Sequence, residues 1–191
     1  MKNKEPNWTL FLDRDGVINR RIPDDYVKNW GEFKFLPHVL SSLKKFNSLF
    51  HHILVVTNQA GIGKGLMTEP DLSSIHKNAH KIIRKHGGRI DAFYHCPTLS
   101  QVIPNCRKPS PAMGLWARNE FPDIDFSHSV MIGDSASDIE FGKGLGMITV
   151  MISGKEQSDA YADFVCQDLH QFYRIFVSKI AYYSSTTLTM H

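Results

Sequence analysis

Two acidic residues near the start of the chain have the types and spacing needed for metal-assisted chemistry. Asp13 and Asp15 follow the apolar run 8–12, which has the composition of a buried β-strand, and Gly16 then permits a turn. A pair of carboxylates at a strand end can hold Mg²⁺, because this ion prefers hard oxygen ligands and keeps waters and substrate phosphate in its other positions. We therefore take Asp13 and Asp15 as the first candidates for a site that binds a phosphorylated ligand.

Polar residues at three later points of the chain could complete such a site. Thr57, followed by Asn58 and Gln59, ends a second apolar run, and a hydroxyl with turn amides can bind phosphoryl oxygens. Lys108 can neutralise phosphate charge, and Asp134 ends another apolar run, where it can share a metal ion. Phosphoryl transfer needs these groups, because it depends on in-line positioning and on neutralising charge.

These polar groups require a fold that brings several strand ends together. Apolar, β-branched runs alternate with segments of helical periodicity. This alternation predicts an α/β domain with a doubly wound, Rossmann-like parallel sheet and helices on both faces, whose ligands bind at the carboxyl ends of the strands. The predicted strands are 8–12, 53–57, 92–94, 129–133 and 148–152, and the predicted helices are 37–50, one with a Thr68 N-cap, 110–121, one after Asp134, and 168–183.

Length and composition fit one globular domain. Of the 191 residues, 42% are apolar and 21% are charged. We expect a single domain at 1–183 and a flexible tail at 184–191. The 22 basic and 19 acidic residues are scattered along the chain, which argues against nucleic-acid binding. Neither a signal peptide nor a membrane span of ~18 apolar residues is recognised, so we expect a cytoplasmic location and no membrane partner. We also expect a monomer that acts on a small phosphorylated molecule and has no nucleic-acid partner.

The ordered set of motifs resembles that of the haloacid dehalogenase-like (HAD) superfamily. Within it, the chain is most similar to the branch that contains D-glycero-D-manno-heptose 1,7-bisphosphate phosphatases and histidinol phosphatases. The resemblance implies a HAD-type fold and a Mg²⁺-dependent phosphatase that works through an aspartyl-phosphate. The stretches that carry it are Phe-Leu-Asp-Arg-Asp-Gly at 11–16, Tyr26-Val27, Phe35-Leu36-Pro37, Thr-Asn-Gln-Ala-Gly-Ile at 57–62 and Cys-Arg-Lys-Pro at 106–109.

The resemblance implies a role for each candidate. Asp13 would be the nucleophile, while Asp15 would protonate the leaving oxygen and later activate water. Thr57 and Lys108 would stabilise the transferring phosphoryl group. Mg²⁺ would be held by the Asp13 carboxylate, the backbone carbonyl of Asp15, and Asp134. Substrate contacts are expected from Tyr26, Asn58, Gln59 and Arg107.

Substrate and functional class leave alternatives open. Arg107 lies beside Lys108 and is free to hold a second part of the substrate. We therefore prefer a sugar bisphosphate over histidinol phosphate, because the far end of histidinol phosphate carries an amine that Arg107 would repel. A receiver-like signalling module also combines carboxylates, Mg²⁺, Thr and Lys, but an acidic pair at the start of the chain favours an enzyme. The segments between the motifs are filled by the core's own helices and strands, so we expect no separate cap domain.

Relatives in this branch usually carry a structural zinc held by Cys-x-His and a later Cys-x-Cys. The four positions here are Cys96, Thr98, Pro104 and Cys106. A closed zinc site normally needs all four ligands, and His95 could supply only a third. We therefore expect no zinc, with Cys96 and Cys106 as ordinary thiols.

Two other patterns are assigned no chemistry. Glycines at 61, 63 and 65 match neither phosphate-binding loop, so we expect a flexible connection that lets the backbone approach substrate. His76 and His80 lie four residues apart on a predicted helix, but residue 77 is Lys, so the Glu of a His-Glu-x-x-His metal motif is absent. We expect them on a solvated helix face.

Overall fold

A computed structural model describes residues 7–153 and 161–186 of the chain. The described residues form six strands and six α-helices, which alternate except that α2 precedes α3 and β5 precedes β6 directly, and a short 3₁₀ helix (Phe126–His128) precedes the fourth strand. The strands are β1 (Thr9–Leu12), β2 (His52–Asn58), β3 (Ala92–Cys96), β4 (Ser129–Gly133), β5 (Ile148–Ile152) and β6 (Phe164–Cys166). The helices are α1 (Val39–Phe46), α2 (Ala60–Gly63), α3 (Glu69–Lys85), α4 (Ala112–Glu120), α5 (Ala136–Leu145) and α6 (Leu169–Thr186).

All six strands are parallel and form one sheet in the order β3-β2-β1-β4-β5-β6. The chain builds outward from β1 to β3, then crosses back to β4 and builds outward on the other side. The doubly wound sheet predicted from the sequence is therefore confirmed. In such a sheet the strand order reverses between β1 and β4, and a crevice opens there at the carboxyl ends.

Alternate residues of the central strands supply two separate cores. Leu10 and Leu12 are fully buried in a cluster with apolar residues of α1, α3 and α6. Phe11 faces the opposite way, into a second cluster with residues of α4 and α5. This alternation places helices on both faces of the sheet, as predicted, and each fully buried side chain of this size stabilises the fold by ~1.5–3 kcal/mol relative to exposure.

Two helices begin at capping boxes. The Thr68 hydroxyl accepts from the backbone N–H of Asp71, whose carboxylate accepts in turn from the Thr68 N–H, as the predicted N-cap requires. Ser135 and Asp138 form the same arrangement at the start of α5. The second box fixes the Asp138 carboxylate next to the carboxyl end of β4.

The glycine-rich segment after β2 differs from its expectation. It forms the single helical turn α2 and packs closely: a Cβ on Gly61 would lie 2.9 Å from the Tyr26 ring, and one on Gly63 would lie 2.5 Å from the carbonyl oxygen of Pro97. The prediction of a flexible connection is wrong for Gly61 and Gly63, which serve close packing, whereas Gly65 has a φ of +70° and open space around it.

Two elements near the end of the chain also differ from their predictions. The edge strand β6 was not predicted, because three residues are too few to show a period. Helix α6 continues to Thr186, so residues 184–186 of the expected tail are helical, and residues 187–191 lie outside the described residues. Over the ranges 7–153 and 161–186, no second folded unit interrupts the order of elements, and no helix has the length and apolar character needed to cross a membrane.

Candidate active site

A cavity of about 540 Å³ opens at the carboxyl ends of β1, β2 and β4. The topology predicts a ligand site here, because it is the point where the strand order reverses. The structure brings together in its lining all five residues that the sequence placed in one catalytic group: Asp13, Asp15, Thr57, Lys108 and Asp134.

The innermost part of the site is a buried group of one lysine and two carboxylates. Lys108 Nζ donates to Asp13 Oδ1 at 2.7 Å and lies 2.6 Å from Asp138 Oδ1. Its third contact is the carbonyl oxygen of Val56, also at 2.7 Å. The Lys108 side chain is only 1% exposed, and a charge so deeply buried is tolerated only when it is paired and hydrogen-bonded. The three contacts hold Nζ directly beside the proposed nucleophile.

Burial and charge act in opposite directions on this group. Burial raises the pKa of Asp13, and although Lys108 lowers it, the negative charges of Asp138 and Asp15 add to the increase and bring it to about 7. Burial opposes the charge on Lys108, but Asp13 and Asp138 outweigh burial and raise the pKa of the lysine. The site therefore holds Lys108 as a cation and has excess carboxylate charge to share with another cation.

Asp134 adds a third carboxylate at the end of β4. One oxygen from each of Asp13, Asp134 and Asp138 lies within 4.8 Å of the others. Gly16, at φ +91°, allows this approach, since a Cβ there would lie 2.0 Å from Asp134 Oδ2. Burial, as the largest cause, raises the pKa of Asp134. Carboxylate oxygens with unneutralised charge are the donor set that Mg²⁺ prefers, so the residues present fit this ion.

Arg21 is a residue of the site that sequence reasoning missed. Its Nη1 lies 3.2 Å from Asp134 Oδ2, although its side chain is 61% exposed. Arg21 belongs to the long connection between β1 and α1, and its contact depends on how that connection folds over the sheet. No periodicity or motif in the sequence indicates it.

The Asp15 carboxylate is held by a different kind of network. Arg14 Nη2 donates to both of its oxygens, at 3.0 and 2.8 Å. Asn19 Nδ2 donates to Oδ1 and Gln59 Nε2 donates to Oδ2, each at 2.8 Å. Burial opposes ionisation of Asp15, but the Arg14 charge and these hydrogen bonds outweigh it and lower the pKa of the carboxyl. The network favours the ionised form and fixes the direction of the carboxylate.

Gln59 lies in a different place from the one expected. Its side chain is fully buried, is not part of the cavity lining, and donates to Thr57 Oγ1 at 2.9 Å as well as to Asp15. A direct substrate contact therefore does not fit its position. The position of Gln59 just after a strand indicated that it lies near the site. Its burial shows that it holds Asp15 and Thr57 in place from the core side.

Asn58 and Thr57 line the cavity as expected, and each is held by a neighbour. Asn58 Oδ1 accepts from the backbone N–H of Lys108 at 2.9 Å, and its Nδ2 donates to the Lys108 carbonyl at 3.3 Å. Asn58 thus ties the loop that carries Lys108 to the end of β2. The Thr57 hydroxyl is fixed by Gln59.

His76 does not lie on a solvated face. Its ring stacks on Phe93 at a centroid distance of 4.4 Å, and its Nε2 lies 3.4 Å from Arg14 Nη1. Burial first, and then the Arg14 charge, lower the pKa of His76 to about 3. The expectation was wrong for His76, because α3 packs this position against the edge strand β3 and the buried Arg14.

Comparison with known proteins decides the family. Residues 105–172 match the model described as HAD-hydrolase-like. The chain is 39% identical over 170 residues to the D-glycero-alpha-D-manno-heptose-1,7-bisphosphate 7-phosphatase of Mycobacterium bovis, which covers 86% of this chain and 89% of that protein. It is 34% identical over 172 residues to the Campylobacter jejuni protein of the same name, with coverage of 89% and 96%. The chain belongs to the HAD-like phosphatases.

A solved structure agrees with this assignment. The D,D-heptose 1,7-bisphosphate phosphatase of B. bronchiseptica, crystallised with magnesium and phosphate, matches with a TM-score of 0.79 at 26% identity, over 90% of this chain and 99% of that one. The predicted superfamily and phosphatase activity are confirmed, and the receiver-like alternative is wrong.

The mouth of the phosphatase cavity carries positive and aromatic groups. Arg107 lines it, and its Nη1 has no hydrogen-bond partner among the described residues. Lys64 Nζ lies 5.2 Å from the centre of the Tyr26 ring, and both residues also line the cavity. Sequence reasoning missed Lys64, although its place after the packed turn α2 puts it opposite Tyr26.

The two cysteines beside the site are joined. Cys96 ends β3, and the following loop returns so that Cys106 lies with its Cα 5.5 Å away and the two sulfurs form a disulfide. The prediction of ordinary thiols is wrong, because the loop that carries Arg107 closes back on the strand. The absence of zinc from this four-residue site stays a prediction, since Thr98 and Pro104 still occupy the other two positions.

Proposed function

We propose that this phosphatase removes the 7-phosphate of D-glycero-D-manno-heptose 1,7-bisphosphate through an aspartyl-phosphate on Asp13. The observation that carries the proposal is the position of Asp13, which is paired with the buried Lys108 at 2.7 Å in a cavity that also contains Asp15 and Thr57. The names of the relatives from M. bovis and C. jejuni support the choice of substrate.

In the first step, Asp13 attacks phosphorus. Lys108 is bonded to Oδ1, so we assign the attack to Oδ2. The P–O bond to the sugar breaks as the new bond forms, and the leaving oxygen takes a proton from Asp15. Asp15 first receives this proton from solvent, because the negative charge of the bound phosphate favours the neutral acid. Thr57 and Lys108 stabilise the negative charge that is spread over the equatorial oxygens of the transferring phosphoryl group.

In the second step, water attacks the phosphorus of the aspartyl-phosphate. Asp15 accepts a proton from this water, and the bond between phosphorus and Asp13 breaks to release phosphate and restore the carboxylate. The network around Asp15 supports this role, because its donors favour the ionised form that accepts a proton.

Mg²⁺ is the proposed cofactor, held by Asp13, Asp134 and the backbone carbonyl of Asp15. When bound, it supplies positive charge that lowers the repulsion between carboxylate and phosphate. We assign Asp138 to positioning Lys108, because its Oδ1 lies 2.6 Å from Nζ while Oδ2 accepts from the Ser135 hydroxyl and backbone N–H.

The substrate's second phosphate is assigned to the cations at the cavity mouth. Arg107 has a guanidinium nitrogen without a described partner, and Arg21 and Lys64 line the same cavity. Three positive side chains suit a dianionic group, which arginine can bind through two parallel hydrogen bonds.

Histidinol phosphate remains the second candidate, because two acidic residues share the lining. Asp24 and Asp25 lie on the loop between β1 and α1, where a carboxylate could hold the substrate's amine. Asp25 is already paired with Lys28, which weakens this alternative.

The proposal is tested by a phosphate-release screen against both anomers of the heptose bisphosphate, histidinol phosphate and a small generic ester. We expect the highest kcat/KM on a heptose bisphosphate, a requirement for Mg²⁺, and a loss greater than about a thousandfold in Asp13→Asn. Turnover by Asp13→Asn would contradict the covalent mechanism. A higher kcat/KM on histidinol phosphate would reverse the choice of substrate.

The proposed role of Arg107 predicts a substrate-dependent loss. Removing a charge-assisted hydrogen bond costs ~1.5–3 kcal/mol, so Arg107→Ala should lower kcat/KM on the bisphosphate by roughly ten- to a hundredfold. The small ester should lose much less, because it does not reach the mouth. Arg84→Ala, on the exposed end of α3, is the matched control; equal losses on both substrates would contradict a recognition role.

A further inference from the structure

Two histidines and an aspartate form a cluster at the amino end of the sheet, away from the catalytic cavity. His51 precedes β2, His52 begins it, and Asp123 lies in the loop after α4, 71 residues beyond His52. The strands are parallel and the catalytic groups follow their carboxyl ends. At about 3.3 Å per residue, the length of β2 separates the cluster from the cavity by roughly 20 Å.

The donor atoms of these three side chains converge. His52 Nε2 lies 3.0 Å from each oxygen of Asp123, and His51 Nε2 lies 3.2 Å from Oδ2 of the same carboxylate. One donor atom from each residue lies within 4.8 Å of the other two. Around an ion with bonds of ~2.0–2.2 Å, adjacent ligand atoms lie about 3.0–3.5 Å apart, so the nitrogen–oxygen separations fit the edges of a coordination polyhedron.

The backbone holds the two histidines in this arrangement. Consecutive residues of a strand project to opposite faces, so the convergence of His51 and His52 requires a bend. His51 lies at that bend, and its backbone N–H donates to the Trp8 carbonyl at 2.7 Å. His52 is in register with Thr9 of β1, and its ring lies 4.6 Å from that of Phe121. The ligands are thus largely ordered beforehand, which lowers the entropic cost of binding.

We propose that His51, His52 and Asp123 bind a late first-row divalent cation such as Zn²⁺ or Ni²⁺, with water completing the coordination. Two imidazole nitrogens and a carboxylate select these ions over Mg²⁺ and Ca²⁺, which prefer oxygen ligands only. About half of the His51 and Asp123 side-chain surface is exposed, so an ion can enter from solution. The bound ion joins the start of β2 to the loop after α4.

The site is tested by calorimetric titration of Ni²⁺ into tag-free, chelator-treated protein, in excess Mg²⁺ and without reductant. Wild type should bind Ni²⁺ with micromolar affinity, and His52→Gln and Asp123→Asn should each weaken this binding at least tenfold. His86→Gln, at the exposed C-cap of α3, is the matched control and should bind as wild type does. Mg²⁺-dependent phosphatase activity should be the same in all four proteins, so this test is independent of the proposed function.

A second measurement needs no variant. Paramagnetic Ni²⁺ should broaden the imidazole NMR signals of His51 and His52 in the wild-type protein before those of the other histidines. Selective broadening with loss of affinity in the variants supports the site. Equal Ni²⁺ affinity in wild type, His52→Gln and Asp123→Asn, or broadening confined to other histidines, overturns it and leaves the three side chains as hydrogen-bonded ion pairs only.

Discussion

Asp13 and Asp15 lie two residues apart at the end of one strand, yet their surroundings are opposite. Asp13 belongs to a group with Lys108 and Asp138, in which burial first, and then the neighbouring carboxylate charge, raise the pKa of Asp13 although Lys108 lowers it. Asp15 accepts from one arginine and two amides, and its pKa is lowered. The environment of Asp13 favours sharing a second cation, whereas the environment of Asp15 favours its ionised form and fixes its orientation.

The two environments also differ in their origin along the chain. The partners of Asp13 arrive from 95 residues away on the loop before α4, and from the first turn of α5. Two partners of Asp15, Arg14 and Asn19, come from the same turn, and only Gln59 is distant. The surroundings of Asp13, which neutralise charge, therefore depend on tertiary structure. The surroundings of Asp15, which serve proton transfer, come mostly from residues close to it in the sequence.

The largest expected effect comes from removing the cation on the Asp13 side. Lys108→Met leaves two carboxylates buried without their partner, and breaking a buried ion pair typically costs ~3–5 kcal/mol. We expect a loss of that size in the free energy of unfolding at pH 8 without Mg²⁺, together with loss of phosphatase activity. Urea unfolding with and without Mg²⁺ measures it, and Mg²⁺ should recover part of the stability.

Lys64→Met is the matched control for this prediction. Lys64 lines the same cavity but is exposed, so its removal should change the free energy of unfolding by less than about 1 kcal/mol. Comparable losses in the free energy of unfolding for Lys108→Met and Lys64→Met would contradict the prediction. They would show that the buried ion pairs of Lys108 stabilise the protein no more than an exposed lysine does.

A smaller effect is expected on the Asp15 side. Arg14→Lys keeps a positive charge but cannot reproduce the contact of one guanidinium with both carboxylate oxygens. We expect kcat to fall by roughly ten- to thirtyfold with little change in KM, because the misdirected carboxylate slows proton transfer rather than binding. Steady-state kinetics on the preferred substrate measures the two constants.

Gln59→Leu extends the same comparison. It removes one donor to Asp15 and one to Thr57 while filling the same buried space, so kcat should again fall more than KM rises. A rise in KM with unchanged kcat, in Arg14→Lys or in Gln59→Leu, would instead indicate that the residues around Asp15 bind substrate.

The smallest effect is expected from Arg21→Ala. Arg21 is mostly exposed, and surface ion pairs contribute ~0–1 kcal/mol, so the free energy of unfolding should barely change. Because Arg21 competes for Asp134, a proposed Mg²⁺ ligand, the Mg²⁺ concentration for half-maximal activity should fall by roughly two- to threefold. The measurement is made at saturating substrate, so that loss of the proposed contact between Arg21 and the second phosphate does not affect it. An increase would instead indicate that Arg21 holds Asp134 in position for the metal.

The sequence by itself determined the sheet and the residues at its carboxyl edge. Near-continuous apolar runs such as 129–133 predict buried parallel strands, and the predicted bounds of β4 and β5 agree with the observed ones. Because strand ends meet at one edge, Asp13, Thr57 and Asp134 could be placed together before any contact was known. These features follow from local composition and period, which are properties of short stretches of chain.

Only the tertiary structure decided which other side chains contact those residues and where the two cysteines lie. Gln59 lies behind Asp15 rather than in the cavity, Arg21 reaches Asp134 from a folded loop, and Cys96 meets Cys106. Each contact depends on the path of an irregular connection and on burial against neighbouring elements. Such paths are set by packing between distant segments, and a one-dimensional pattern carries no period or motif that specifies them.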